Sequence, residues 1–164
     1  ELEKVAWNVS KFNGPLHTEK SYYQSGKLKS VGKFNQGKVN GTVTGYYEDG
    51  SIQVKAYFNN GVKQGRVAYY YPNGSKQSEQ FFTDDKLDGL VREWYDTGNL
   101  MISRQYSNGL LHGEVKTYYE TGELFEATDF NYGTPKYKAV YRKDGSLADE
   151  QGFLNKQIID SIIS

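Results

Sequence analysis

One spacing constrains this chain more than any other feature. A glycine recurs every 24 residues, at Gly41, Gly65, Gly89 and Gly113. Five positions after each stands an aromatic pair: Tyr46-Tyr47, Tyr70-Tyr71, Trp94-Tyr95 and Tyr118-Tyr119. Nine positions after each stands another glycine, at Gly50, Gly74, Gly98 and Gly122. Later in each copy come Phe58, Phe82, Tyr106 and Phe130, then Gly61, Asp85, Gly109 and Gly133. A period of this length marks a tandem array in which each unit is one small supersecondary element.

The period runs outward at both ends. Tyr22-Tyr23, Gly26, Leu28, Phe34 and Gly37 form an earlier copy, and Tyr141, Gly145, Leu147 and Phe153 a later one shifted by one residue. Asn13-Gly14-Pro15-Leu16-His17 echoes Asn108-Gly109-Leu110-Leu111-His112, so the chain before it reads as half a repeat. Residues 1–153 are therefore expected to form an array of about six repeats.

Each unit reads as strand, turn, strand. Gly41 to Tyr47 is expected to be one strand, with Val43, Val67, Val91 and Val115 in one register. The segment Tyr71-Pro72-Asn73-Gly74 suits a type I turn, with proline's fixed φ at the second position and a positive φ at the glycine, which starts the returning strand with a bulge. That strand runs near Ile52 to Phe58 in its copy, and a second loop such as Asn59-Asn60-Gly61 reverses the chain again. Asp85 takes the glycine's place in one loop, tolerable because aspartate visits the left-handed region more readily than most residues. Tyrosine, at 15 copies, and phenylalanine, at 8, dominate the apolar content and favour strands. The expected fold is all-β: tandem β-hairpins forming an elongated, twisted antiparallel sheet. Over 154–164 the pattern changes, and Leu154, Ile158, Ile159 and Ile162 recur at helical spacing, which predicts a short capping helix or a tail.

Alternation along strands places Val43 and Tyr47 on one face and Tyr46 on the other. Tyr22, Tyr46, Tyr70, Trp94 and Tyr118 then form an outward aromatic column and are the candidate partner-binding residues. The same column also reads as cross-strand packing that stabilises the sheet.

Taken together, Gly-x-Val-x-x-Tyr-Tyr-x-x-Gly-x-Leu followed by Phe-x-x-Gly-x-Leu-x-Gly resembles the bacterial variant of the MORN repeat, over residues 13 to about 153. The resemblance implies successive β-hairpins in a long twisted sheet. Many bacterial proteins with this repeat are classed as antitoxins of the YwqK family, and others are exported. Eukaryotic MORN proteins are linked to membrane junctions, phosphoinositide lipids and scaffolding. These associations imply a protein partner, either a toxin or a surface protein, and leave lipid binding without a residue signature here.

Candidate chemistry is sparse. His17 and His112 are expected in the loops before first strands, at a position otherwise filled by Asn40, Gln64 and Asp88, so a shared site is not expected. Asp84, Asp85 and Asp88 cluster in one loop but lack the ligand alternation of a calcium-binding loop. No nucleophile elbow, phosphate loop or zinc-protease motif is present. The expectation is a non-catalytic chain without metal or cofactor.

With 20 basic and 20 acidic residues the whole chain has no global field that favours nucleic acid or anionic lipid. The halves differ, however. Residues 1–83 hold 11 basic and 6 acidic groups, net +5, and residues 84–164 hold 9 and 14, net −5. No run is apolar enough for an integral membrane helix. The absence of cysteine suits either side of a membrane. An antitoxin role implies the cytoplasm. A signal peptide removed before Glu1 implies the periplasm or secretion, and a trimmed chain explains the first residue equally well.

Overall fold

The computed structural model describes residues 13–152. It contains thirteen strands, every pairing antiparallel, and no helix among the described residues. The helix expected over 154–164 lies outside them. The chain divides into two compact units, one up to Leu87 and one from Asp88.

In the first unit β1 (His17–Tyr22), β2 (Leu28–Asn35), β3 (Lys38–Tyr46), β4 (Ile52–Asn59), β5 (Val62–Tyr70) and β6 (Lys76–Thr83) pair in chain order, and β7 (Lys86–Leu87) adds to β6. In the second, β8 (Gly89–Trp94), β9 (Leu100–Ser107), β10 (Leu110–Tyr118), β11 (Leu124–Asn131), β12 (Thr134–Tyr141) and β13 (Leu147–Gly152) do the same. Neither run closes on itself. Neighbours in sequence are neighbours in the sheet, as short hairpin connections dictate.

The two kinds of turn are as the sequence predicts. At the first kind Gly74 N donates to Tyr71 O at 2.9 Å and Tyr71 N donates to Ser75 O, with Gly74 at φ +84°. At the second kind, both loop residues take positive φ: Asn60 and Gly61, and likewise Asp84 and Asp85 at 49° and 63°. This is the two-residue hairpin geometry whose twist matches that of the strands.

The repeat-opening glycine corrects the sequence reading. It does not begin a strand. β3 starts three residues earlier, at Lys38, and Gly41 lies inside it at φ +114°. Phe34 pairs with Val39 and Gly32 with Val43, so three residues of β3 face Lys33 alone. The same three-against-one bulge recurs where Leu111 pairs with Tyr106 and Val115 with Arg104. Such bulges bend the strand and increase its twist. The last copy differs: Asp129 pairs with Tyr137 and Phe130 with Pro135, leaving only Lys136 in excess.

Bending lets a single layer bury one of its own faces. In the first unit Phe34, Val39, Val43, Val54, Ala56, Phe58 and Val67 form one buried cluster, with Tyr69 and Phe82 packed against it. Val39 precedes the bulge and Val43 follows it, and Val43 and Val67 are each only 1% exposed. In the second unit Val91 and Thr128 are buried on one face, where Val115 is half-buried, while Ala139, also buried, lies on the opposite face by register.

In four of the aromatic pairs the second member is a staple between repeats. Tyr23 Oη donates to Tyr46 O at 2.6 Å, and Tyr47 Oη to Tyr70 O at 2.7 Å. Tyr95 Oη donates to Tyr118 O at 3.0 Å, and Tyr119 Oη to Tyr141 O at 3.1 Å. Each bond carries a ring over the adjacent hairpin and satisfies a main-chain carbonyl.

Two substitutions separate these contributions. Gly74→Val meets no atom within 4 Å of its new Cβ, so its penalty is backbone strain alone, about 1–3 kcal/mol. Tyr47→Phe keeps the ring and loses one hydrogen bond, for about 1 kcal/mol. Chemical denaturation should rank them in that order; an unchanged midpoint for Gly74→Val would overturn the turn assignment.

Candidate binding face

In the first unit the face opposite the buried cluster is the more open one, with Ala68 and Glu79 the buried residues on it. Along β4 burial alternates strictly: Val54, Ala56 and Phe58 are buried while Lys55 and Tyr57 are exposed. Tyr57, at 47% exposure, is one of the large hydrophobic side chains left uncovered in the first unit, with Leu16 and Tyr22.

The aromatic column is divided between the units. Tyr22, Tyr46 and Tyr70 belong to the first, Trp94 and Tyr118 to the second. Tyr22 is 57% exposed and the other four are half-buried. No ring contact joins Tyr22, Tyr46 and Tyr70. One strand lies between successive members, which puts them two strand spacings apart, roughly 9–10 Å, beyond the roughly 4.5–7 Å of an aromatic pair. An aliphatic residue lies between. Tyr22 pairs across the turn with Leu28, Tyr46 with Ile52, Trp94 with Leu100, Tyr118 with Leu124 and Tyr141 with Leu147. Only Tyr70 faces a charged residue, Lys76. The predicted ladder is thus an alternation of aromatic and aliphatic side chains. The Gly-x-Leu spacing carried that signal, and the sequence reading did not pair the leucine with the aromatic.

Lys76 marks where the face becomes electrostatic. Glu79, with its side chain only 11% exposed, accepts from Lys76 Nζ at 3.3 Å and forms a close ion pair with Arg66. Burial by itself pushes the Glu79 carboxyl up, but the Lys76 hydrogen bond and the Arg66 charge outweigh it and hold the carboxyl below its ordinary 4.5. Beside this pair Thr42, Lys55, Tyr57, Arg66, Ala68 and Tyr70 surround a hollow of about 190 Å³. Lys55 pairs in register with Ala68, and Ala68 with Glu79, so a small residue between two long ones leaves the space. Alternation along Ile52 to Phe58 would have placed Lys55 and Tyr57 on this face. Its depth depends on Ala68, whose register mates are Thr44, Arg92 and Lys116.

The histidines occupy strands instead of loops. His17 opens β1, its Nδ1 2.7 Å from Pro15 O and its Nε2 2.9 Å from Glu19. The Glu19 hydrogen bond, then the Pro15 carbonyl, raise its pKa. His112 lies in β10 and stacks on Tyr132 at 4.3 Å. For His112, extension of the strand through the bulge explains the difference from the sequence reading. The acidic loop is tied to the preceding strand: Asp85 Oδ1 accepts from Lys63 N at 2.8 Å, and Asp84 Oδ1 accepts from the side-chain amide of Gln64. In the second unit Asp88 Oδ1 accepts from Asn108 N. No group of three or more metal-ligating residues is found among the described residues.

The repeat geometry has a counterpart in a known family. The MORN repeat variant pattern matches residues 18–36, 39–60, 63–84, 87–108 and 111–132, more than half of the chain. The chain belongs to the MORN repeat variant family. Its MORN repeats begin at or just inside the first strand of each unit and end at the two-residue loop. The hairpin of β12 and β13 continues the architecture past the last matched MORN repeat. No curated protein matches the chain. The family supports a repeat-based binding protein.

Because the folded pKa of Glu79 is depressed, its ion pairs stabilise the fold above the unfolded carboxyl value. That contribution is lost as pH falls through the lower, folded value. Glu79→Gln should cost about 1–2 kcal/mol at pH 7, less than a fully buried pair because Arg66 and Lys76 are partly exposed. The difference from the parent chain should shrink on acidification below the ordinary glutamate range. Melting curves across pH 2–7 check this; a difference that stays constant throughout would exclude the ion-pair account.

Proposed function

We propose that this chain is a non-catalytic protein-binding repeat protein that engages its partner through the open sheet face. The observation that carries the reading is the contrast between faces of the same strands. On β4 the inward side chains are buried, and the outward side leaves Tyr57 and Lys55 to solvent beside Tyr70. Large aromatic side chains kept on an accessible, rigid surface suit anchoring of a protein partner. The specific version we favour is an antitoxin or immunity-type protein that covers a partner's active surface, in keeping with the resemblance to YwqK-family antitoxins. A hydrogen-bonded sheet suits that task because its strands are ordered before binding.

A second reading is an exported or envelope adaptor that binds host or surface molecules. Exposed tyrosines such as Tyr22, Tyr57, Tyr132 and Tyr137 favour it, since tyrosine recognises varied surfaces at low entropic cost. Discovery of a small toxin gene adjacent to this one would support the first reading, and of an encoded signal peptide the second.

The test uses Trp94→Ala and Tyr70→Ala with the parent chain in affinity capture from the native organism's lysate. Both residues are half-buried on the sheet, so each variant should lose less stability than the roughly 3–5 kcal/mol of a truncated core aromatic. Each should lose most of the captured partner. Recovery of the same proteins at equal yield by all three chains would sink the proposed role of the aromatic column.

A further inference from the structure

The hollow over Ala68 combines features that one ligand chemistry satisfies. Its walls include the Tyr57 and Tyr70 side chains, and its cations are Lys55 and Arg66. Lys55 is exposed and has no acidic partner among the described residues. Arg66 already shares its charge with Glu79. Of the two cations that line the hollow, Arg66 is paired with the Glu79 carboxylate, so the charge of Lys55 is left without an offset there. The protein itself shows how the patch treats a carboxylate: Glu79 lies on one side of Ala68, gripped by Arg66 and Lys76, while Lys55 faces Ala68 from the other side with nothing to grip.

We propose that this hollow seats an aspartate or glutamate side chain of the partner protein, its carboxylate on Lys55 and Arg66 and its stem against Tyr57 and Tyr70. The inference rests on the protein-binding reading above and specifies the partner's chemistry. Size favours a side chain over a metabolite, because about 190 Å³ falls below the roughly 300–1,000 Å³ of small-molecule sites. It also favours a side chain over an anionic membrane. A flat lipid surface would draw on exposed cations anywhere on the face and would not need a recess flanked by two rings.

The experiment selects a random displayed-peptide library against the full chain, then measures the enriched peptides on Lys55→Glu, Tyr57→Ala and Lys27→Glu. The last variant changes net charge as much as the first, at an exposed turn position outside the hollow. The proposal expects enriched peptides to carry Asp or Glu and to bind more weakly as salt rises. It also expects a loss of about tenfold with Lys55→Glu, a clear loss with Tyr57→Ala and little change with Lys27→Glu. Peptides without acidic residues, or acidic peptides that bind Lys55→Glu as well as the parent, overturn the hollow and leave the protein-binding reading standing. No enrichment at all overturns both. Vesicles of phosphatidylserine and phosphatidylcholine form a separate arm. Sedimentation of the chain with them in a Lys55-dependent manner, with no acidic peptide enriched, overturns the proposal in favour of a membrane surface.

Discussion

A single layer of hairpins must bury one face without a second layer to cover it. In the first unit the three-against-one bulge meets that constraint. By bending β3 at Gly41 it brings Val39 and Val43 into one apolar cluster, and Val67, one repeat later, joins the same cluster. A straight strand would leave the valine column half in water, and each valine buried in this way contributes roughly 1.5–3 kcal/mol relative to exposure. The positive φ of the glycine is therefore linked directly to the burial of the valine two residues later. That pairing of Gly and Val is what the repeat most visibly keeps.

The staples complete the arrangement at the turn end. A tyrosine ring leans over the following hairpin and its hydroxyl occupies a carbonyl of the next first aromatic, as Tyr23 does with Tyr46. Repeats are thus joined twice, by the β-ladder and by a side chain that reaches past it. Burial lifts the hydroxyl pKa of Tyr47 above its ordinary value, consistent with a group enclosed between neighbouring hairpins.

Much of the fold is legible in the sequence because turns are local. Tyr71-Pro72-Asn73-Gly74 specifies its own geometry, and Asp84-Asp85 still closes a loop that elsewhere ends in glycine, since both can occupy the left-handed region. Alternation separates the two faces, with Val43 and Val67 opposite Tyr46 and Tyr70, but it does not show which of them is buried. What the sequence concealed depends on register between strands. Nothing local tells that Gly41 lies inside a strand, that Leu28 meets Tyr22, or that Ala68 separates Lys55 from Glu79. These are pairings across turns and bulges, where counting by two fails. The candidate face suffers most from this, because its hollow is made by a small residue whose counterparts in other repeats are larger.

The last copy shows what the bulge means for the history of such a chain. There the spacing contracts, and the staple from Tyr119 to Tyr141 spans 22 residues where the others span 23. The bulge between β11 and β12 holds one excess residue instead of two, and the turn beyond it keeps its bonds: Arg142 N to Ser146 O, and Gly145 N to Arg142 O, each 2.9 Å. The bulge works as an expansion joint. A deletion that would flip every later side chain to the wrong face in a plain strand is absorbed within a few residues. A repeat protein with such joints can gain or lose single residues without forfeiting the repeats that follow, so its copies are free to drift in length as well as in sequence.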